Sequence, residues 1–450
     1  MEGPPSGESS SLQIPAANTE NPAGFKGGLP AQNDEEELVY DFQAFIAQLK
    51  DPQADPVLRY TRSFLHNFTT KKDLWTCEEQ QKLIDDFKLF VYGKLALYEP
   101  FKSLDSGKLL NAKEGIEKLI MGKLYARCFS PCVENRFNEK TDKSHREDLE
   151  RDEQLRLKRD EYSFIEPEML EIPESLTQRL SKFTRLSGRE LARINEYKAP
   201  RDKMVCVLNA CRVLFGFLKH SGLENGGADA FVPVLVYTLL KSDVHALFSN
   251  LNYTERFRFS EFLRGESAYY LSSVQGAADF VTHLGHQSLH IPDELAFEEQ
   301  YTKHQEYVLE QRKKSAKESA TEPDTGPLKD TVVSTASHTP APSEYIRRPL
   351  DEATSAILSK VSELFISSPP AETTDNQQER SPSARLSGEQ SQEPDPAVLV
   401  QELQRQENQR VLDELHLMFP DMDQDLIQDV CEAKKYRIGV CVDVLLTLSS

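Results

Sequence analysis

Apolar residues in this chain fall into helical registers separated by stretches that have none. Leu38, Phe42, Phe45, Ile46 and Leu49 recur at steps of three and four, the spacing that sets side chains on one helix face. Asp55-Pro56 places a capping carboxylate before a proline at the first helical position, where the missing N–H is not needed. Tyr60, Phe64, Leu65 and Phe68 form the apolar stripe behind it. Thr76 with Glu79 predicts a capping box, opening a helix that buries Leu83, Ile84, Phe87, Val91 and Leu95. Asn111 with Glu114 repeats the signal more weakly before Ile116, Leu119, Ile120 and Leu124. Four amphipathic helices joined by short loops predict a bundle over residues 35–160.

Residues 1–34, rich in Gly, Pro, Ser and Asn, offer no face to bury and predict a disordered arm. Lys140 to Arg159 is nearly all charge of both signs, the pattern of a solvated helix or linker between folded units. A second unit, residues 161–300, begins near Phe164 and shows helical spacing at Leu176, Leu180, Phe183 and Leu186, then from Val205 to Leu218. The run Phe231 to Tyr237 fits a buried strand or a helix equally, because periodicity does not settle so short a run. Residues 301–395 predict a disordered linker dominated by Pro, Ser, Thr, Glu and Gln, with one short amphipathic patch at Ala356, Ile357, Val361, Leu364 and Phe365. Order returns over 396–450, where Val398 to Leu417 is helical in pattern and the chain runs out in Val442-Asp443-Val444-Leu445-Leu446.

Composition narrows the function. Hydrophobic residues make up 38% of 450, with 20 glycines and 25 prolines, in keeping with long unfolded stretches. A net charge of −20 opposes the phosphate backbone of nucleic acid, which is not expected as a partner. Seven cysteines, sparse and odd in number, fit reduced thiols of a cytosolic protein. The longest apolar run, Phe231 to Leu240, is too short to span a bilayer and contains Pro233. Met1-Glu2-Gly3-Pro4 resembles neither a signal peptide nor a myristoylation site. No phosphate-binding loop, His-Glu-x-x-His or Gly-x-Ser-x-Gly motif occurs, so no covalent chemistry and no cofactor are expected. Cys128 and Cys132 lack a second ligand pair at finger spacing and are expected to be buried thiols, with no metal site.

Four blocks are distinctive: Ile194-Asn195-Glu196-Tyr197-Lys198-Ala199-Pro200-Arg201-Asp202-Lys203 running into Val205-Cys206-Val207-Leu208-Asn209; Ala228-Asp229-Ala230-Phe231-Val232-Pro233-Val234-Leu235; Ser249-Asn250-Leu251-Asn252-Tyr253; and Gly265-Glu266-Ser267-Ala268-Tyr269-Tyr270-Leu271-Ser272. In this order and spacing they resemble the catalytic domain of the vacuolar-protein-sorting-nine family of Rab guanine nucleotide exchange factors, over roughly Leu38 to Leu284. The resemblance implies an all-helical fold, which favours the helix for Phe231–Tyr237, with the bundle buttressing a catalytic lobe. It places the family's acidic finger on Asp229 with Pro233 beside it, and the tyrosine and hydroxyl of the Rab-binding groove on Tyr269 and Ser272. Taken alone, Asp229 has the ordinary role of an N-cap before an apolar helix, and Tyr269 that of a core or rim aromatic.

Met418-Phe419-Pro420 followed by Leu445-Leu446 resembles the CUE family of three-helix ubiquitin-binding domains. That resemblance implies one apolar surface, built from all five residues, for the hydrophobic patch of ubiquitin. The competing reading makes all five the core of a domain too small to spare apolar side chains. The order of the parts resembles fungal members of the exchange-factor family. The implied function is release of GDP from an early-endosomal, Rab-five-like GTPase, in a cytoplasmic protein recruited peripherally to endosomes, with ubiquitin and ubiquitinated cargo as further partners. The alternative is a ubiquitin-dependent endosomal adaptor that binds the GTPase without accelerating exchange.

Overall fold

The computed structural model describes residues 40–71, 75–137, 141–319 and 396–449. Among these residues the fold is all-helical, without a strand. The amphipathic patch at 356–365 lies outside the described residues, as do the arm at 1–34 and Leu38.

Five helices build the first layer: α1 (Phe42–Lys50), α2 (Asp55–Thr70), α3 (Cys77–Leu95), α4 (Ser106–Cys128) and α5 (Ser130–Phe137). The capping box of α3 forms as its sequence predicts. Glu79 N–H donates to Thr76 Oγ1 at 3.2 Å, and Thr76 N–H donates to Glu79 Oε2 at 2.9 Å. Two other caps differ from expectation. Asp55 lies inside α2 rather than capping it, because Asp51-Pro52 one turn earlier starts a 3₁₀ turn that runs straight into the helix. Asn111 is likewise interior to α4, which Asp105 caps through Lys108 N–H at 2.9 Å. Its amide instead ties down the start of α1, donating to Asp41 C=O at 2.8 Å and accepting from Asp41 N–H at 2.7 Å.

Helix α6 (Lys143–Tyr162) is the highly charged stretch, and it is a joint rather than a solvated spacer. His145, Asp148, Leu155 and Tyr162 are all buried. Five helices follow, α7 (Glu174–Ala192), α8 (Pro200–Lys219), α9 (Phe231–Lys241), α10 (Leu247–Phe257) and α11 (Glu266–Thr282), and several of α6's charges reach α10, α11 and the end of α9. Asp148 takes a bidentate pair from Arg256 at 2.6 and 2.8 Å and a hydrogen bond from Ser130 Oγ at 2.6 Å. Asp152 accepts from Phe248 N–H at 2.7 Å, Ser249 N–H at 3.2 Å and Ser249 Oγ at 2.5 Å, giving acceptors to the orphan donors of α10's first turn. Ala246, the residue before α10, has φ of 50° and offers no cap of its own.

The bundle and the following helices share side chains. Tyr253, Phe257 and Phe259 lie in the core of the first layer, against α3 and α4. At that seam Glu117, fully buried, accepts from Arg258 Nη1 and from Phe259 N–H, both at 2.7 Å, and sits 3.3 Å from the buried Lys88 ammonium. Lys88 also donates to Phe257 C=O at 2.5 Å. Burial pushes the Glu117 carboxyl up, but Arg258 and Lys88 outweigh it and hold it below the usual carboxylate range.

Helix α12 (Glu294–Ser319) carries ordered chain past residue 300, into the predicted linker. Its Phe297 and Tyr301 pack on Phe164, and Tyr301 donates to Glu161 at 2.7 Å. The last three helices, α13 (Pro396–Met418), α14 (Gln424–Ala433) and α15 (Ile438–Ser449), close a small module whose apolar residues are continuous with the core of α7 and α8. All seven cysteines are free thiols; Cys128 is buried and Cys132 half-buried.

Candidate functional site

Two of the four blocks that carry the resemblance, Ile194–Asn209 and Ser249–Tyr253, converge on structure rather than on a ligand. Buried Lys203 donates to Ile194 C=O at 2.8 Å and to Asn250 Oδ1 at 2.5 Å. Asn250 Nδ2 donates to Asn195 Oδ1 at 2.9 Å and to Ala246 C=O at 2.8 Å. Tyr253 donates to Lys198 C=O at 2.9 Å. These bonds clamp the turn before α8 onto α10, so the signature residues hold the scaffold.

The remaining positions lie where α9 begins beside α11. After α8 the chain turns at Gly222 and passes through a 3₁₀ segment, Glu224–Ala230, in which Gly227 has φ of 72°. A Cβ at Gly227 would sit 3.1 Å from Leu218 Cβ, so glycine lets this segment lie against the end of α8. Asp229 follows, exposed, at the last turn before α9. The N-cap of α9 is Ala230, with no side-chain cap bond, and among the described residues the Asp229 carboxylate has neither a hydrogen-bond nor an ion-pair partner. The N-cap role does not apply to it. Pro233 is the third residue of α9, where an N–H would lack an intrahelical acceptor, and is half-buried.

Phe231, two residues after Asp229, is buried and packs on Tyr269 and Tyr270 of α11, with ring centroids 6.4 and 6.0 Å away. Tyr269 is half-buried, and burial raises its phenol above the ordinary value, which keeps it a neutral hydroxyl. Ser272 is exposed one turn on, and its Oγ donates to Tyr269 C=O at 2.9 Å. Helix α11 starts after Gly265, whose φ of 57° and ψ of −127° suit glycine. The Arg212 guanidinium of α8 grips Glu266 in α11's first turn, Nε to Oε1 at 3.0 Å and Nη2 to Oε2 at 2.6 Å. This pair, absent from the sequence reading, fixes the helix that presents Tyr269; Glu266 inside the Gly265–Ser272 block was its only sequence signal. The arrangement is thus an aromatic floor of Phe231, Tyr269 and Tyr270, with the exposed Asp229 carboxylate two residues before Phe231 and unpartnered among the described residues.

In the C-terminal module, Met418 is half-buried, Pro420 exposed and Phe419 buried. Leu445 and Leu446 are 0% and 1% exposed. The five residues therefore do not form one open surface in this arrangement. Leu445 shares a helix face with Cys441 and Ile438, and Cys441 hydrogen-bonds Cys431 of α14, so that face points into the module. Gly439, Asp443 and Leu446 share another face, where Gly439 meets Arg212 and Asp443 meets Gly216 of α8.

Among the described residues no helix is long and apolar enough to cross a membrane. Residues 185–286 match the family model described as "Vacuolar sorting protein 9 (VPS9) domain", residues 59–125 that described as "Domain of unknown function (DUF5601)", and residues 408–449 that described as "CUE domain". The chain is 40% identical over 265 residues to vacuolar protein sorting-associated protein vps901 of Schizosaccharomyces pombe, covering 59% of this chain and 45% of that protein. It is 31% identical over 259 residues to vacuolar protein sorting-associated protein 9A of Arabidopsis thaliana (56% and 46%). Identity is 29% over 247 residues to the Rab5 GDP/GTP exchange factor of Homo sapiens (53% and 46%). The chain thus matches about half the length of each of these relatives.

Proposed function

We propose that this chain, which carries a VPS9 domain and a C-terminal CUE domain, is a guanine nucleotide exchange factor that promotes GDP release from a Rab-five-like GTPase of early endosomes and binds ubiquitin through the CUE domain. The observation that carries the reading is Asp229: a carboxylate exposed at the edge of the Phe231–Tyr269 floor with no partner of its own among the described residues. Exchange requires the factor to bind the nucleotide-free GTPase more tightly than the loaded one, because only a differential affinity shifts the equilibrium. A carboxylate offered to the phosphate-binding lysine substitutes for phosphate charge and disfavours phosphate and Mg²⁺ together. Tyr269 and Ser272, one turn apart on α11, hold a displaced segment of the GTPase. No bond is made or broken.

The names of the relatives support the GTPase class, since one is a Rab5 GDP/GTP exchange factor. In this reading residues 35–160 buttress a catalytic lobe spanning 161–300, and the protein is cytoplasmic, reaching endosomes through its partners. Release of fluorescent GDP from a panel of purified Rab GTPases tests it. Acceleration for Rab-five-like members and not for others is the expected result. Binding without acceleration of any member refutes the exchange reading and leaves the adaptor.

A further inference from the structure

We propose that helix α8 of the VPS9 domain and ubiquitin compete for one face of α15, so that the CUE domain takes ubiquitin only after leaving the lobe; this rests on the ubiquitin-binding reading above. The contact is closely fitted. Two glycines face the crossing from opposite sides. A Cβ on Gly439 would stand 2.7 Å from Arg212 Cβ, and one on Gly216 would meet Asp443 Cα and Cβ at 3.6 Å. The helices therefore approach with nothing between them. Asp443 is then held by two side chains at α8's end, with Lys219 Nζ 3.2 Å from both oxygens and His220 Nε2 3.0 Å from Oδ1.

A second row of charges pins α13 to α7. Arg193 donates to both Glu407 oxygens at 2.8 Å, Arg410 donates to the buried Glu190 at 2.9 Å, and Arg189 pairs with Glu414. Fixed on both sides, α15 turns Leu446 toward α8, where the leucine is 1% exposed. A leucine so placed cannot touch a second protein. Of the five residues proposed to meet ubiquitin, Met418 and Pro420 remain accessible, Phe419 and Leu445 are buried, and Leu446 is covered. Ubiquitin thus reaches Leu446 only in the undocked state, and its apparent affinity is reduced to the fraction of molecules undocked.

The test leaves the CUE domain untouched and weakens the lobe's side. Gly216→Leu puts bulk at the crossing, and Lys219→Glu reverses a charge that meets Asp443 on a half-exposed side chain. Monoubiquitin affinity is measured by titration for the full chain and for each variant, with unfolding curves in parallel; Lys219→Glu serves if Gly216→Leu does not fold. The expected result is that the folded variants bind monoubiquitin about tenfold tighter than the unaltered chain, corresponding to roughly nine-tenths docked. Equal affinity in all chains overturns the competition while leaving ubiquitin binding intact. Absence of binding in every chain, variants included, overturns both.

Discussion

Replacing Asp229 by alanine separates stability from exchange. The carboxylate is exposed, caps no helix and bonds to nothing among the described residues, so the change in folding free energy should stay within about 0.5 kcal/mol, as for a surface position without special contacts. A working N-cap would have cost ~0.5–2 kcal/mol. Against the GTPase the balance is different. A carboxylate ~4 Å from a lysine in a partly shielded interface gains about 4 kcal/mol at an effective dielectric near 20. Desolvating two charges takes back part of that. A net loss of about 3–4 kcal/mol in the exchange-competent complex means a GDP release rate lower by roughly 100–1000-fold. Asp229→Asn keeps shape and removes charge, and should fall nearly as far. The assay is fluorescent-GDP release against exchange-factor concentration, with urea unfolding on the same preparations. Folded Asp229→Ala protein that exchanges within threefold of the unaltered chain would refute the acidic-finger assignment.

Three further outcomes follow from the same structure. Glu117→Leu strips the buried partner from Lys88 and Arg258 and should cost about 3–5 kcal/mol in urea unfolding; a loss below about 1 kcal/mol would show that the seam does not depend on this carboxylate. His145 is buried, with Nε2 lacking a hydrogen-bond partner, and burial first, then Arg256, lowers its pKa from 6.5 to about 4. The unfolded chain therefore binds the extra proton first, and stability is lost as pH falls from about 6.5 to 4, by about 3 kcal/mol through this group; His145→Gln should remove that share of the acid sensitivity, and parallel unfolding profiles for the two proteins would contradict it. Met418→Asp should weaken monoubiquitin binding at least tenfold while GDP release stays unchanged, since the side chain is accessible at the module's edge and remote in sequence from Asp229 and Tyr269; unaltered affinity in a folded variant removes Met418 from the surface.

Local signals were legible where no rival stood nearby. Thr76 and Glu79 form their box, and Ile84, Phe87, Val91 and Leu95 lie on the buried face their spacing implies. Asp55 and Asn111 misled because Asp51 and Asp105, each a few residues upstream, offer equally good caps and begin their elements first. The charged run of α6 misled for another reason. Periodicity counts apolar side chains, whereas Asp148 is buried and Asp152 half-buried against partners about 100 residues away, Arg256 and Ser249. The Phe231–Tyr237 run was ambiguous by pattern and helical by resemblance, and it forms α9. At the candidate site, Asp229 and Tyr269 were singled out through resemblance alone, as nothing in a lone aspartate announces that it lacks a partner. The docking of α15 had no signal, because Gly216 and Gly439 are informative only once each lies against the other's helix, Gly216 on Asp443 and Gly439 on Arg212.

The seam between the first layer and the helices that follow bears on what can be cut from this protein. The stretch matching the VPS9 model, 185–286, begins inside α7, after Leu176, Leu180 and Phe183 have already contributed to the core, and excludes Leu155 and Tyr162 of α6. It also leaves behind Asp152, which supplies the first-turn acceptors of α10, and Glu117, which neutralises Arg258. An excised 185–286 fragment would present that apolar face to water, leave α10's leading amides unmet and set a guanidinium without its counter-charge, so it should aggregate rather than fold. Recognisable family and autonomous folding unit are different objects here. The shortest stretch able to hold Phe231 against Tyr269 reaches back through α6 to the bundle, so under the exchange function proposed above, inherited change in those helices would be felt as altered nucleotide release without any contact with the GTPase.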